Sequence, residues 1–322
     1  MNLKKSMVYR FFCITIYLAF SFANKVEFGN EIFKENYDAK NAALGGVSLY
    51  MTGGSNPAML VNHQASFINF SYMNKFGGLL KVNSISYLHI NENANPVFIS
   101  LIHREVEDIP DTRDAWLDNG DSFLDQDEIN YLNIKNFSQN EIGIKLSFLR
   151  KIKKIIIASS IKPSYTSLAG FSALGISSDI SILKQFCNKK MDFSFRAEDI
   201  INYKYWSTKS SEYSYPVVAI GGNLNFNNFL FSFDLESQLE EMTNFNYNTG
   251  IEVYQSNEMI IFRFGKSADN LFTIGGGIVL DLFNIDYAFV APNKDKPFEP
   301  SQILSISVKL DKDNWIKSKL SP

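Results

Sequence analysis

The densest group of residues that could do chemistry is acidic and lies between Arg104 and Glu128, where the sequence places ten carboxylates and two arginines. Calcium needs such hard oxygen ligands, and the run from Leu117 to Glu128 aligns with the calcium loop of an EF-hand. Leu117 stands where the loop wants its first Asp, and Ser122 stands where Gly makes the sharp turn; Asp118 could supply the first ligand if the loop shifts. The other ligand positions hold Asn119, Asp121, Phe123 through its backbone carbonyl, Asp125 and Glu128. The segment predicts either a calcium loop or a solvated acidic surface loop.

Other motifs that resemble enzyme signatures fail in spacing or context. Residues 265–267 read Gly-Lys-Ser, as at the end of a phosphate-binding loop, but Ile260 stands where that loop requires its first glycine. Ser172 lies in an approximate Gly-x-Ser-x-Gly pattern, but Leu174 replaces the final glycine of a nucleophile elbow. The histidines lie apart in sequence and form no zinc-protease motif: His63, His89 and His103. The sequence therefore predicts a protein that is not an enzyme and holds no cofactor other than the calcium considered above.

The overall charge excludes one class of partner. The formal net charge is -3 and no basic stripe runs through the sequence, so nothing would neutralise the phosphates of a nucleic acid. Phe and Tyr are abundant, at 28 and 15 residues, yet hydrophobic residues make up only 45% of the chain. An aromatic-rich but moderately hydrophobic composition is typical of alternating strands.

The N-terminal 1–23 segment has the features of a cleaved secretory signal peptide. A basic region with Lys4 and Arg10 precedes an apolar run at 11–22 and a small residue. That run is too short for a membrane-spanning helix, which needs about 20 apolar residues, and no later window approaches that length. After cleavage, Cys187 is the one cysteine left, so no disulfide and no cysteine-based zinc site is expected within the mature chain. Export without a helical anchor leaves the periplasm, the outer membrane or the medium.

From residue 65 onward, apolar residues recur with period two. Phe229, Phe231 and Phe233 fall on one face of a strand, and the mostly polar residues between them fall on the other. Most such segments have about the 9 to 11 residues that a tilted strand needs to cross a bilayer. The fourteen predicted strands are 65–73, 79–89, 95–104, 141–150, 153–162, 174–184, 191–199, 215–226, 229–238, 246–255, 257–266, 271–280, 283–290 and 302–310.

The predicted connections alternate in length. Short turns such as 227–228 and 281–282 alternate with longer connections, of which the acidic 105–140 segment is the longest. Outer-membrane barrels have short periplasmic turns and longer outer loops, whereas a soluble sandwich has no reason to sort its loops in this way. We therefore predict an all-β fold, a closed antiparallel transmembrane β-barrel of about fourteen strands. Both termini are expected in the periplasm and the acidic loop outside.

Several segments resemble the PorV/PorQ family of outer-membrane proteins, itself similar to the FadL-like channels for hydrophobic compounds. The resemblance extends from residue 39 to residue 310, and the segments that carry it are Leu44–Val47, Asn56–Leu60, Gly170–Leu183, Phe272–Gly277, Ile285–Phe289 and the final Ser-rich strand. It implies a short N-terminal plug within the barrel. It also implies two roles, which are transport of hydrophobic or small organic compounds through the barrel, or binding and handing over of secreted proteins in type IX secretion. A structural outer-membrane component or a secreted soluble barrel remains a third interpretation.

The resemblance and the strand pattern together divide the chain into a signal peptide (1–23), a plug segment (24–64), a barrel (65–310) and a polar tail (311–322). The expected partners are outer-membrane lipid and either hydrophobic small molecules or secreted proteins. Glycine within a strand marks either the close approach of another backbone, here the plug, or a bend in the sheet. The residues expected to shape the plug and the lumen wall are Gly45, Gly46, Asn56, Pro57, Ala58, Gly275, Gly276 and Gly277.

The calcium interpretation can be tested by isothermal titration of the whole protein in detergent. Extracellular calcium modules bind at roughly 0.1 to 1 mM, so heat of binding is expected in that range. Absence of heat up to millimolar calcium would leave the acidic segment as a solvated loop.

Overall fold

A computed structural model gives the chain as one antiparallel sheet rolled into a closed barrel, with short segments inside it. The residues described are 30–47, 56–63, 65–91, 94–117, 120, 128–187, 190–239, 245–255, 259–268, 271–292 and 299–310. The predicted signal peptide (1–23), residues 24–29 of the plug segment and the tail (311–322) lie outside them, so those assignments stay predictions.

Fourteen long strands form the barrel wall, and a fifteenth of two residues, β8, pairs with the end of β7. The strands are β1 Ser66–Lys75, β2 Leu80–Asn91, β3 Ala94–Asp111, β4 Lys135–Ile152, β5 Ile155–Leu168, β6 Phe171–Phe186, β7 Met191–Trp206, β8 Ser211–Glu212, β9 Val217–Phe226, β10 Phe229–Gln238, β11 Asn246–Tyr254, β12 Ile260–Lys266, β13 Phe272–Val279, β14 Phe283–Val290 and β15 Ser301–Leu310. Among the described residues, the helices are one short α-helix, α1 Ala39–Ala43, and 3-10 turns at Glu31–Phe33, Pro57–Asn62, Phe76–Gly78 and Tyr131–Asn133.

Closure joins the first strand to the last. β1 pairs with β15 from Ser66 opposite Leu310 to Asn74 opposite Gln302. Every other long strand pairs with its neighbours along the chain, and β7 pairs with β9 beyond the short β8. A closed sheet has no free edge, so each strand finds backbone partners on both sides. The predicted closed antiparallel barrel of fourteen strands is confirmed.

The strands β3 to β7 are longer than predicted, which shortens the three predicted connections that follow β3, β5 and β7. β3 continues to Asp111 and β4 begins at Lys135. Both ends of the predicted 105–140 loop are therefore strand, and residues 112–134 connect the two strands. β3 contains a bulge within this extension: Asp108 has a φ of 54°, and the register with β4 shifts between Val106 and Ile109. A bulge adds a residue to one strand and so breaks the period-two pattern on which the prediction relied.

The second shortened connection joins β5 to β6. Ala169 and Gly170 form a two-residue turn with φ values of 48° and 86°. Two successive positive φ values are typical of the hairpin turn that matches the twist of the strands. The predicted strand ended at residue 162, whereas β5 continues through Pro163, which cannot donate to a ladder, to Leu168.

The direction of the alternation is apolar outside and polar inside. In β5, Ile155, Ile157 and Ile161 are exposed, whereas Ser160 and Lys162 are buried. The same pattern runs around the barrel, where large apolar side chains such as Phe70 and Phe262 have about half their surface exposed, at 48% and 54%. This arrangement suits hydrocarbon outside the barrel, since a soluble barrel fills its lumen with the apolar face. No helix in the described part of the chain is long and apolar enough to cross a membrane.

The two ends of the barrel differ. At the end where β1 begins, here called the turn end, the connections are short, as at Lys153-Lys154 and Asn227-Asn228. At the opposite end, called the loop end, most connections are longer, as at 112–134 and 291–300. The alternation of lengths predicted from the sequence is therefore present, with the β5–β6 turn as an exception.

The apolar exterior leads to a prediction for the stability of the barrel when one charge is introduced at mid-height. Phe70 lies at the centre of β1, opposite Ile306. Arg at this position should lower the free energy of unfolding of the barrel in phosphatidylcholine vesicles by about 2 to 4 kcal/mol, because the cation would enter hydrocarbon. Urea titration of the vesicle-inserted protein measures this difference. Phe70→Leu is the matched control, and an equal midpoint for both variants would contradict a hydrocarbon environment.

Candidate functional site

The wall facing the lumen carries a band of small hydroxyl and amide side chains at mid-height. Neighbouring strands bring them into contact, since Ser71 Oγ lies 2.8 Å from Ser305 Oγ and Ser147 Oγ lies 2.8 Å from Ser160 Oγ. Period two places these residues on one face, so hydroxyls can satisfy one another away from water. This hydroxyl band consists of the buried residues Asn69, Ser71, Ser84, Ser86, Ser100, Ser147, Ser160, Ser305 and Ser307.

Residues 30–47, here called the crossing segment, run through the lumen from one wall to the other. At one end, the Asn30 side chain accepts a hydrogen bond from Ser164 Oγ at 3.0 Å and donates to Asn202 Oδ1 at 2.9 Å. At the other end, Thr273 Oγ1 donates to the carbonyl oxygen of Ala43 at 2.8 Å. The segment is therefore attached to β5 and β7 on one side and to β13 on the other.

The helix α1 occupies the middle of the crossing segment. The Asp38 carboxylate caps its N-terminus by accepting from the Asn41 backbone N–H at 3.1 Å. The neighbouring Ala39 N–H donates to Ser305 Oγ of the hydroxyl band at 2.9 Å. Gly45 and Gly46 then turn the chain with φ values of 75° and 83°, the left-handed region that usually ends a helix.

Wall glycines let the crossing segment approach the sheet at backbone distance. A Cβ at Gly275 would lie 2.5 Å from Ala43 Cβ, and one at Gly265 would collide with the backbone nitrogen of Gly45. Real Cβ atoms do not tolerate such contacts, so glycine is required at both of these positions. The lumen-facing glycines in contact with the segment are Gly143, Gly175, Gly250, Gly265 and Gly275.

The three consecutive glycines predicted as lumen wall have three different surroundings. Gly275 contacts the crossing segment, which agrees with the first of the two interpretations, the close approach of another backbone. Gly277 also faces inward, where a Cβ would collide with Asp286 and lie 3.0 Å from Arg263 Nη1. Gly276 faces outward, because side chains alternate along β13 and its nearest neighbour is the Ile261 carbonyl oxygen at 3.5 Å. Its assignment to the lumen wall was therefore wrong.

A second inner segment, residues 56–62, lies near the turn end. Asn56 caps its 3-10 turn by accepting from the Ala58 N–H at 3.2 Å, and Pro57 takes the first position, where no N–H is needed. The Asn56 amide also donates to Ser194 Oγ at 2.7 Å, and Ala58 N–H lies 3.1 Å from Ser181 Oγ. Asn56, Pro57 and Ala58 thus shape this turn and fix it to β6 and β7.

At the end of this segment Asn62 Oδ1 accepts from Gln185 Nε2 of β6 at 2.8 Å, and the remaining contacts of residues 56–62 are apolar. Met59 and Leu60 are buried against the turn-end part of the wall formed by β1 to β6. Burial of large apolar side chains contributes about 1.5 to 3 kcal/mol each. This lower apolar cluster consists of Val47, Ala58, Met59, Leu60, Phe67, Leu88, Phe98, Leu149, Ile156, Ala158 and Leu183.

Buried ion pairs hold the crossing segment against the wall on the side of the barrel formed by β11 to β14. Arg263 is fully buried and donates to Asp286 Oδ1 at 2.8 Å and to Glu252. Lys40 Nζ of α1 lies 3.6 Å from the second oxygen of Asp286. Such charges are stable only when paired, and removal of one partner from a buried pair typically costs about 3 to 5 kcal/mol.

Two more groups of charges face the lumen from β3 to β7. Lys162 Nζ lies 2.6 Å from Asp179 and 2.7 Å from Asp199, which a bulge in β7 directs inward with a φ of 53°. Near the loop end, Arg104 Nη1 lies 2.9 Å from Glu141, which Lys204 also approaches. These charges are neutralised by one another, so the wall they line is polar without excess charge at these contacts.

The sequence signals considered for catalysis and metal binding are not brought together. His103 faces outward and contacts Asn140 at 3.1 Å, and His89 contacts Tyr87 at 3.2 Å. The His63 ring lies 4.7 Å from the Phe67 ring near the turn end, with the two planes tilted by 49°. Among the residues described, no group of three or more His, Cys, Asp or Glu could hold a metal ion.

Most of the predicted calcium loop lies outside the described residues. Asn119, Asp121, Phe123 and Asp125 fall there, so their role stays a prediction. Glu128 is described and buried, and its Oε2 accepts from Trp116 Nε1 at 2.9 Å.

Sequence reasoning missed the lumenal ion pairs. Lys145, Lys162 and Arg196 occupy buried positions of strands whose other face is apolar, and that pattern could have located them. Their partners could not be found in the same way, because pairing depends on the register between strands and on the bulge at Asp199.

No protein-family model and no curated protein matches the chain. Among solved structures, it is similar to the Pseudomonas putida toluene transporter TodX, with a TM-score of 0.61 and 13% identity over 86% of this chain and 98% of that chain. It is also similar to CymD, a monoaromatic hydrocarbon channel, with a TM-score of 0.52 and 12% identity over 89% of this chain and 98% of that chain. At these identities the likeness shows a shared barrel fold.

The glycine contacts predict that one methyl group can displace the crossing segment. Gly265→Ala should push residues 43–45 off the wall, because the new Cβ meets backbone atoms that cannot rotate away. We expect larger single-channel conductance in planar bilayers than for the unmodified protein. Gly276→Ala is the control, since its Cβ points outward and meets nothing closer than 3.5 Å. Equal conductance of the two variants would contradict the assigned contact.

Proposed function

We propose that this protein is an outer-membrane channel that admits hydrophobic small molecules and performs no covalent chemistry. The observation that carries the proposal is a closed barrel with an apolar exterior whose lumen holds the protein's own N-terminal segments. Its fold matches that of outer-membrane proteins of bacteria. Two channels of similar fold are described as a toluene transporter and a monoaromatic hydrocarbon channel, which supports hydrophobic cargo here.

The lower apolar cluster favours hydrophobic cargo over polar cargo. Met59 and Leu60 cover a patch of wall formed by residues such as Phe98 and Leu183. If the second inner segment moves away, that patch becomes accessible inside the lumen. A hydrophobic molecule can cover it in place of Met59 and Leu60, so the exchange replaces one apolar contact by another.

The two inner segments differ in their suitability as the moving part. The crossing segment is attached at both walls and joined to the ion pair of Asp286 through Lys40. Residues 56–62 have polar anchors at Ser181, Gln185 and Ser194 and otherwise apolar contacts. We therefore assign the gate to residues 56–62 and the role of fixed plug to the crossing segment.

The orientation and the export route follow the sequence predictions. We propose that residues 1–23 are removed on export, that the turn end faces the periplasm and that the loop end faces outward, where calcium could bind within 117–128. Membrane-embedded protein should resist extraction with sodium carbonate, whereas a soluble secreted barrel would be washed off.

The secretion-linked role and the purely structural role rest on the sequence resemblance and on the barrel itself. A PorV-like protein should co-purify with a secreted client from detergent extracts. Recovery of no client would remove that alternative, and the channel proposal does not depend on the result.

Uptake of radiolabelled toluene and of a long-chain fatty acid tests the channel. A complemented strain should accumulate label several-fold faster than a null strain. Leu60→Ser should raise the rate further, because loss of its buried side chain weakens the closed gate by about 2 to 5 kcal/mol, the range for Leu→Ala. Leu132→Ser, the same change at an exposed leucine in the 112–134 connection, should match the unmodified protein. Equal uptake by the null and complemented strains would sink the proposal.

A further inference from the structure

The turn end carries a concentrated basic cluster on one side of the barrel. The β4–β5 turn and the adjoining strand ends supply Arg150, Lys151, Lys153 and Lys154, all exposed. Lys184 lies directly beside Ile155 in the register of β5 and β6. The full cluster is Arg150, Lys151, Lys153, Lys154, Lys184 and Lys190.

These cations have no carboxylate partner among the described residues. None of the six takes part in an ion pair there, in contrast to the lumenal cations Lys162 and Arg263, which each contact two carboxylates. Asp179, the carboxylate nearest in β6, faces the lumen and is occupied by Lys145 and Lys162. The basic cluster therefore presents uncompensated positive charge to whatever surrounds the rim.

A groove on the outer wall begins at this cluster. It has a volume of about 490 Å³ and runs across the outer face of β3, β4 and β5. Ser159, a small residue opposite Phe148, deepens it, and Arg150 lies at its lower rim. Its apolar walls are Val97, Phe148, Ile152 and Ile157.

The groove and the cations share one face of the sheet. Arg150 is opposite Ile157, and Ile157 is opposite Ile182, two residues above Lys184 on its strand. Adjacent strands lie about 4.8 Å apart and a strand rises about 3.4 Å per residue, so the Cα atoms of Arg150 and Lys184 are roughly 12 Å apart across the rim. Lys184 Nζ stands 4.8 Å from the centre of the Phe186 ring, which keeps the ammonium at the edge of the apolar belt.

We propose that this groove binds an anionic phospholipid of the periplasmic leaflet. One acyl chain would lie between Phe148 and Ile157, and the phosphate would contact Arg150 with Lys184 beside it. Basic residues at a membrane surface each attract anionic lipid by about 1 kcal/mol, and an apolar groove adds a fixed place for the chain. The proposal rests on the membrane orientation of the proposed function but not on transport.

Other occupants fit the face less well. A protein partner would have to displace lipid from Phe148 and Ile157, which lie within the hydrocarbon belt. A free anion would find the cations but would leave the groove empty. Lipid A is also anionic, but it belongs to the loop-end leaflet in the proposed orientation, so its preferential binding becomes an outcome of the test.

Native mass spectrometry of the purified protein tests the site, with phosphatidylglycerol, phosphatidylcholine and lipid A as probes. One phosphatidylglycerol should be retained in preference to phosphatidylcholine. Arg150→Gln with Lys184→Gln should weaken this retention by roughly 25-fold, from about 1 kcal/mol for each cation. Ser159→Phe should weaken it as well without a change in charge, because the ring would fill the groove.

Matched controls separate the site from general charge and from transport. Lys135→Gln with Lys209→Gln removes two exposed cations at the loop end and should leave retention unchanged. Toluene uptake by the Arg150/Lys184 variant should equal that of the unmodified protein, so a failed lipid site and a failed channel give different results. Equal retention of phosphatidylglycerol and phosphatidylcholine, a preference for lipid A, or full retention by the Arg150/Lys184 variant would each overturn the proposal.

Discussion

The pairing of β1 with β15 is the constraint on which the rest of the structure depends. In hydrocarbon, each unpaired backbone N–H or C=O costs several kcal/mol, so a sheet must close on itself. Closure with fourteen strands also fixes the width of the interior. Barrels of about 8 strands are filled by their own side chains, and those of 16 to 18 leave an aqueous channel. A fourteen-stranded wall thus encloses more space than its side chains occupy, and the N-terminal segments take up part of it.

The wall must carry small side chains or none where the backbone of an inner segment approaches it. Gly265 and Gly275 admit the crossing segment at distances that exclude any Cβ, and Ser305 supplies an acceptor for the Ala39 N–H. The same small residues would leave a soluble sheet poorly packed. Glycine and serine on the inner face are therefore explained by what lies against them and not by the stability of the strands themselves.

The sequence was sufficient for the barrel but not for its interior. Period two and strand length depend on each strand alone, so the fourteen strands were predicted, with errors where bulges at Asp108 and Asp199 interrupt the alternation. The glycine at 275 was recognised as a position of close approach, but the identical residue at 276 faces outward, since only the register decides between them. Lumenal ion pairs such as Lys162 with Asp179 join residues from different strands, and composition carries no information on that register.

The lumen is apolar along β1 to β6 near the turn end and carries charges elsewhere, and this distribution restricts the route of a hydrophobic molecule. Along β7, β10 and β12 the inner wall presents Arg196, Asp234 and Arg263, which are buried and surrounded by charged neighbours. A hydrocarbon there would displace polar partners of these charges and could form no hydrogen bond or ion pair in their place, which is unfavourable. Along β1 to β6 near the turn end, Phe67, Leu88 and Leu183 offer apolar contacts that Met59 and Leu60 already occupy. Residues 56–62 can therefore leave that patch without breaking an ion pair. The route through the lumen along β1 to β6 then costs less free energy than one past the buried charges.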